Sequence, residues 1–105
     1  MGMLINEADI EAFERDGAIC LRRVFDAHWL GLICEGIEKE IGAPGTGFVE
    51  QQDRGVPGRF VTDYCPAQRI KEFQEFVTNS PAAEIAGRAM RSLSARILMD
   101  VLWIK

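Results

Sequence analysis

The sequence predicts an α+β fold in which residues 1–105 form a single unit. Four segments carry helix start signals or apolar residues at helical spacing. The last segment, residues 95–105, alternates like a β-strand and is mainly apolar on both faces. The composition is 48% hydrophobic and 27% charged, which is typical of a globular domain and argues against a disordered chain.

The first predicted helix begins after Asn6 and ends at Gly17. Asn6 is a good N-cap, and Asp9, three residues later, can complete a capping box with it. Gly17 offers the left-handed conformation that commonly ends a helix. The apolar residues 18–21 then predict a short strand.

The second predicted helix has the clearest signals in the chain. Asp26 is its N-cap, and Gly42 with Pro44 ends it. His28, the only histidine, falls in the first turn, where we interpret it as a solvated or packed side chain. Apolar residues follow the cap at helical spacing: Leu30, Ile33, Cys34, Ile37 and Ile41.

Residues 42–58 predict a long irregular segment. They contain five of the ten glycines and follow no period. A loop of this length in a small domain indicates either a functional loop or one that another group orders. Gly45-Thr46-Gly47 resembles the start of a phosphate-binding motif, but Glu50 replaces its third glycine and no strand-then-helix frame surrounds it.

The second half of the chain predicts a short strand at residues 59–62 and two further helices. Pro66 suits the first turn of the third helix. Ser80 and Pro81 form a cap and a first helical position for the fourth helix.

The last strand, residues 95–105, needs cover on both faces, so we expect Trp103 to be largely buried. Its hydrogen-bonding groups also need neighbouring strands, and the chain offers only short candidates. We therefore expect it to come from the middle of a larger sheet, with partners beyond residue 105. Asp100 interrupts the apolar pattern, and we expect an ion pair with Arg96 or Lys105.

Charge and cysteine usage exclude several classes of partner. The net charge is −4 with no basic cluster beyond Arg22-Arg23, which argues against nucleic acid. No apolar run approaches the ~20 residues that a membrane span needs. Cys20, Cys34 and Cys65 are odd in number and widely spaced, so we expect buried free thiols, no zinc site and a cytoplasmic protein.

No complete catalytic set is visible in the residues. One histidine cannot supply a two-histidine iron site within one copy, and no Gly-x-Ser-x-Gly nucleophile turn occurs. The helix acids Glu38, Glu40, Glu72 and Glu75 are interpreted as a solvated surface.

Four segments, in chain order, resemble a known family. Residues 13–17 read Phe-Glu-Arg-Asp-Gly before an apolar segment and a capped helix, and residues 58–64 read Gly-Arg-Phe-Val-Thr-Asp-Tyr. Residues 80–86 read Ser-Pro-Ala-Ala-Glu-Ile-Ala, and the strand 95–105 follows. In this order they resemble the opening part of the phytanoyl-CoA dioxygenase family, over nearly the whole chain.

The resemblance implies the N-terminal helices, short strands and first long strand of a double-stranded β-helix (jelly-roll) oxygenase, with the barrel incomplete in this chain. The family uses Fe(II), 2-oxoglutarate and O2 on small-molecule or acyl-CoA substrates. Its iron-binding His-x-Asp does not occur here, so the chain alone should be inactive, with no metal or cofactor bound. By the resemblance, the residues near the cosubstrate pocket are Arg59, Thr62, Tyr64 and Leu102.

Three interpretations stay open on the sequence. The first is an N-terminal fragment of such an oxygenase. The second is a complete, non-catalytic small protein derived from the family, acting by self-association or partner binding. The third, an iron site shared between chains, is disfavoured by the single histidine per copy. In either of the first two, we expect a homo-oligomer, most simply a dimer, formed through the strand at residues 95–105.

Overall fold

The computed structural model describes residues 4–51, 55 and 57–105. It is an α+β structure with an antiparallel sheet of strand order β1-β2-β3. In chain order the elements are α1 (Glu7–Asp16), α2 (Ala27–Gly42), β1 (Val49–Gln51), β2 (Phe60–Tyr64), a 3-10 turn (Pro66–Gln68), α3 (Lys71–Asn79), α4 (Ala82–Ala89) and β3 (Val101–Ile104).

The predicted starts of the first two helices are confirmed. The Asn6 side chain accepts from the Asp9 N–H at 2.9 Å, and the Asp9 carboxylate accepts from the Asn6 N–H at 3.1 Å, completing the capping box. Gly17 ends α1 with φ of 80°. The Asp26 carboxylate accepts from the Trp29 N–H at 3.2 Å at the start of α2. Local capping chemistry thus fixes both helix starts.

The two faces of the sheet have different surroundings. Register pairs Asp63 with Leu102 and Thr62 with Trp103, so Asp63 and Leu102 share one face and Thr62 and Trp103 the other. The face with Asp63, called the inner face, packs against α2, α3 and the 3-10 turn. On the opposite, outer face, Val49, Tyr64 and Trp103 are exposed.

The core lies between the inner face and the helices. Ala67, Ile70 and Phe73 are buried together, and Leu102 packs against them. Helix α2 contributes at Gly36, because a β-carbon there would lie 2.6 Å from the Phe73 ring. Absence of a side chain at this position therefore lets α2 and α3 approach closely. Partly buried apolar side chains complete the cluster: Ile33, Ile37 and Val77.

Arg91 connects α1 to the end of α4. Its guanidinium Nε donates to Glu14 at 2.6 Å, and it also pairs with Glu7. These two carboxylates raise the Arg91 pKa above its ordinary value. The pairing holds the two ends of the helical part together.

The C-terminal strand is shorter than its sequence pattern predicts. Only Val101–Ile104 is a strand, while residues 95–100 are irregular. Trp103 is 69% exposed, so the expectation that it is buried is wrong. The sequence does alternate here, but among the described strands β3 pairs with β2 alone, and that pairing ends where Tyr64 faces Val101. Residues 95–100 therefore have no strand to extend against.

Two other strand predictions differ from the structure. Residues 18–21 form no strand, because none of the described strands lies beside them. The strand predicted at residues 59–62 is displaced to Phe60–Tyr64. Its partner β1 lies inside the segment 42–58, which was predicted to be irregular. The high glycine content of that segment gave no indication of the three strand residues.

The chain is extended for its length. The Cα radius of gyration is 16.0 Å, against roughly 13 Å for a compact domain of this size.

Candidate functional site

The four residues singled out by the family resemblance do not converge on one pocket. Thr62 and Tyr64 lie on the outer face of β2, and Tyr64 is exposed. Leu102 lies on the inner face within the core contacts. Arg59 lies at the rim, where its guanidinium Nε donates to the Glu50 carboxylate at 2.6 Å. Only Thr62 and Tyr64 can therefore face a common ligand in this chain.

The outer face is an apolar surface with a polar centre. Thr62 pairs with Val49 on one side and with Trp103 on the other, so the three side chains form one row. Tyr64 and Phe60 flank this row on β2. Large exposed apolar side chains at neighbouring strand positions are uncommon on the free surface of a monomeric protein.

A groove of about 300 Å³ separates α3 from the segment before β3. Phe73 and Phe76 line one wall, and Ile97 and Met99 line the other. Leu102 also lines the groove. Because the groove is lined almost wholly by apolar groups, it suits a hydrocarbon rather than a charged ligand.

A cluster of buried charges lies under the inner face. Glu40 of α2 is fully buried and Asp63 of β2 is 3% exposed. The Arg69 guanidinium pairs with Glu40 and lies 3.7 Å from the Asp63 carboxylate. The interpretation of Glu40 as part of a solvated helix surface is therefore wrong, because α2 turns this position toward β2.

Burial and crowding raise the pKa of Glu40 to about 7 from its ordinary value of 4.5. Loss of hydration is the largest cause, followed by the hydrogen bond with Asp63 and the repulsion between the two acids. The Arg69 guanidinium opposes this rise. Oε1 of Glu40 has no hydrogen-bond partner among the described residues. A proton shared with Asp63 would supply one, because one carboxyl could then donate to the other.

The loop 43–48 contacts this cluster through two of its glycines. A β-carbon at Gly45 would lie 2.5 Å from Arg69 Nε, and one at Gly47 would lie 2.7 Å from Asp63 Oδ1. Arg69 Nη1 also donates to the Ala43 carbonyl at 2.9 Å. These glycines therefore serve close contact with the buried charges, a role that their phosphate-loop appearance in the sequence did not indicate.

Glu72 is also buried, but its pKa shifts in the opposite direction from that of Glu40. Lys39 of α2 donates to its carboxylate, and this hydrogen bond lowers the pKa of Glu72 below its ordinary value. The interpretation of Glu72 as a solvated acid is wrong for the same geometric reason as for Glu40. Two adjacent residues of α2 therefore have different roles. Glu40 is buried beside a second acid, and Lys39 pairs with Glu72.

Asp100 has a structural role different from the expected one. Its carboxylate accepts from the Ala67 N–H at 2.8 Å, and its carbonyl accepts from the Cys65 N–H at 2.7 Å. It therefore fixes the turn that follows β2 instead of forming an ion pair with Arg96 or Lys105. Cys65 has a left-handed backbone with φ of 56° at this turn.

The remaining candidates lie at the surface. His28 is exposed and packs edge-on against Trp29. Cys20 and Cys34 are exposed and Cys65 is half-buried, so the expectation of buried thiols is wrong. Within the described residues, no three His, Cys, Asp or Glu side chains could together hold a metal ion. None of the described helices combines the length and apolar character needed to cross a membrane.

No protein-family model matches the chain, and no curated protein or solved structure does.

Proposed function

We propose that this chain is the N-terminal part of a phytanoyl-CoA dioxygenase-like oxygenase domain that uses Fe(II) and 2-oxoglutarate. One observation carries the proposal: the antiparallel sheet is packed with helices on its inner face and is bare and apolar on its outer face. A jelly-roll places two sheets face to face. In this proposal the outer face is the side that meets the second sheet.

The row formed by Val49, Thr62 and Trp103 would then point into the barrel. Thr62 and Tyr64 supply hydroxyl groups there that can donate to or accept from a cosubstrate. Among the residues that the structure describes, no three His, Cys, Asp or Glu side chains could together hold a metal ion. In this proposal the His-x-Asp motif and the distant histidine would come from sequence outside this chain. A small-molecule or acyl-CoA substrate and a cytoplasmic location form part of the same proposal.

The test is the nucleotide sequence that follows the codon for Lys105. We expect an open frame that contains His-x-Asp shortly downstream. The polypeptide encoded by both parts should form succinate with coupled O2 uptake, and Thr62→Val together with Tyr64→Phe should reduce that rate. Arg22→Gln, on an exposed residue outside the sheet, serves as the control. A stop codon with no such frame would contradict the proposal.

A second candidate is a non-catalytic protein that acts by self-association. The observation in its favour is the run of exposed apolar side chains along the C-terminal segment, including Ile97, Leu98 and Trp103. Within the described residues the sheet also ends at β3, which leaves an edge for a strand from another copy. A two-fold dimer with paired β3 strands would cover both the exposed apolar side chains and the open edge of β3.

Sedimentation across a wide concentration range tests this second candidate. A dimer or larger species should form as concentration rises. A monomer that persists at high concentration would exclude it.

A further inference from the structure

The loop 43–48 lies against Asp63 and against Arg69, the cation that pairs with Glu40. It has no regular secondary structure, and its backbone contacts Arg69 and Asp63 directly at Gly45 and Gly47. Its single backbone turn is the hydrogen bond from the Phe48 N–H to the Gly45 carbonyl, at 3.2 Å. Such a segment opens more easily than a helix or a central strand.

The charges around Glu40 do not balance when both acids are ionised. Arg69 faces Glu40 from the segment before α3, and Asp63 faces the same cluster from β2. The loop contributes only backbone, including the Ala43 carbonyl that accepts from Arg69. Lys39, the neighbour on α2, is directed to Glu72 of α3. Two buried acids therefore share one cation, and one proton on the pair restores neutrality.

The hydrogen bonds require the same proton. Two ionised carboxylates have no donor to offer each other, and Glu40 Oε1 is then left without a partner among the described residues. With one proton on the pair, one carboxyl donates to the other. The cluster therefore carries no net charge beneath the loop when the pair is protonated, and one net negative charge when both acids are ionised.

We propose that Glu40 and Asp63 form a proton-operated latch, which keeps the loop 43–48 closed over the inner face while they share a proton and loosens it when both ionise. Opening the loop gives the uncompensated charge access to water, which removes the cost of burying it. Because β1 follows the loop directly, the same event loosens the edge strand beside β2. This inference does not depend on the proposed oxygenase function.

Hydrogen exchange of the whole chain tests the latch. Protection of the amides in residues 43–51, corrected for intrinsic exchange, should fall at least about tenfold between pH 5.5 and pH 8.5. Protection of α1 should not change. In Glu40→Gln, whose amide can donate to Asp63 at every pH, protection of 43–51 should be independent of pH. Glu38→Gln, on an exposed position of the same helix, should behave as the unmodified chain.

Two results would overturn the latch: equal protection of the unmodified chain at both pH values, or the same pH-dependent loosening in Glu40→Gln. A second measurement needs no variant. The side-chain carboxyl carbon of Glu40, followed by nuclear magnetic resonance, should report a pKa well above that of an ordinary glutamate. Titration in the ordinary acidic range would also overturn the proposal.

Discussion

The inner and outer faces of the sheet use the same three strands in opposite ways. On the inner face Val61 and Asp63 are 0% and 3% exposed, whereas on the outer face Tyr64 and Trp103 are 59% and 69% exposed. Successive residues of β2 therefore pass from buried to exposed within one strand. The comparison shows that helix packing, and not strand composition, decides which face of this sheet is core.

Polar groups usually lie at the surface and apolar groups in the core, but the two faces of this sheet depart from that rule. The inner face buries the Glu40 and Asp63 acids, while the outer face exposes tyrosine and tryptophan rings. Inner-face charges can be balanced only by groups within the chain, such as Arg69. Outer-face rings lose contact with water only against a surface that the described residues do not supply. Substitutions on the two faces should therefore affect different measurements.

The largest expected effect is on the inner side. Phe73→Ala should lower the free energy of unfolding by about 3–5 kcal/mol, because it leaves a cavity beside Gly36 and Ile70. Trp103→Ala on the outer face should lower it by about 0.5 kcal/mol or less in the monomer. Urea unfolding at low protein concentration measures both. Equal losses would mean that the two faces are packed alike.

Glu40→Gln should have the next largest effect, and its sign depends on pH. The pKa of Glu40 in the folded chain, about 7, exceeds its ordinary 4.5, so the stability contributed by its protonated form is complete below 4.5. That contribution is lost as pH rises through 7. At pH 8.5 the glutamine variant should be more stable by on the order of 3 kcal/mol, and at pH 4.5 the two should match.

Denaturant unfolding as a function of pH makes this measurement. Glu38→Gln provides the control, since Glu38 is exposed on the same helix. A parallel pH dependence in the unmodified chain and in Glu40→Gln would assign the titration to another group.

Trp103→Lys should affect association more than stability. If the outer face is covered by a second copy, a charge at its most exposed aromatic should weaken the dimer at least about tenfold. Leu30→Lys, on a comparably exposed apolar residue of α2, should leave association unchanged. Sedimentation equilibrium compares the two variants. Equal weakening by both would show that association is nonspecific.

Arg59→Gln should produce the smallest effect. Arg59 pairs with Glu50 at the exposed rim of the sheet, where an ion pair adds little to stability because water competes for both charges. The midpoint of thermal unfolding should stay within measurement error of the unmodified chain. A clear decrease would indicate that the rim belongs to the buried side.

Local signals in the sequence predicted the starts of α1 and α2 well. They placed Pro66 in the first turn of the third helix, whereas Pro66 lies in a separate 3-10 turn and α3 begins at Lys71. They gave no indication of the charged cluster. The caps at Asn6 and Asp26 act over three or four residues, so their outcome is fixed by the neighbouring sequence. Glu40 and Asp63 are far apart in the chain, and Glu40 follows a lysine in an ordinary helical charge pattern. Gly45 and Gly47 contact the cluster, but their phosphate-loop pattern in the sequence did not indicate contact with charges inside the chain.

The sequence by itself determined the α+β class, the capped starts of α1 and α2, the α1 end at Gly17 and the presence of a helix after Ser80 and Pro81. These features depend on backbone conformation and hydrogen bonds between near neighbours. The predicted cap of that last helix is wrong, because α4 begins at Ala82 with Pro81, and not Ser80, at the N-cap position. Tertiary structure alone decided that the strand at residues 95–105 shortens to Val101–Ile104, that Trp103 is exposed and that Glu40 is buried. Each of these depends on which element lies opposite, and a residue's own neighbours in the chain do not carry that information.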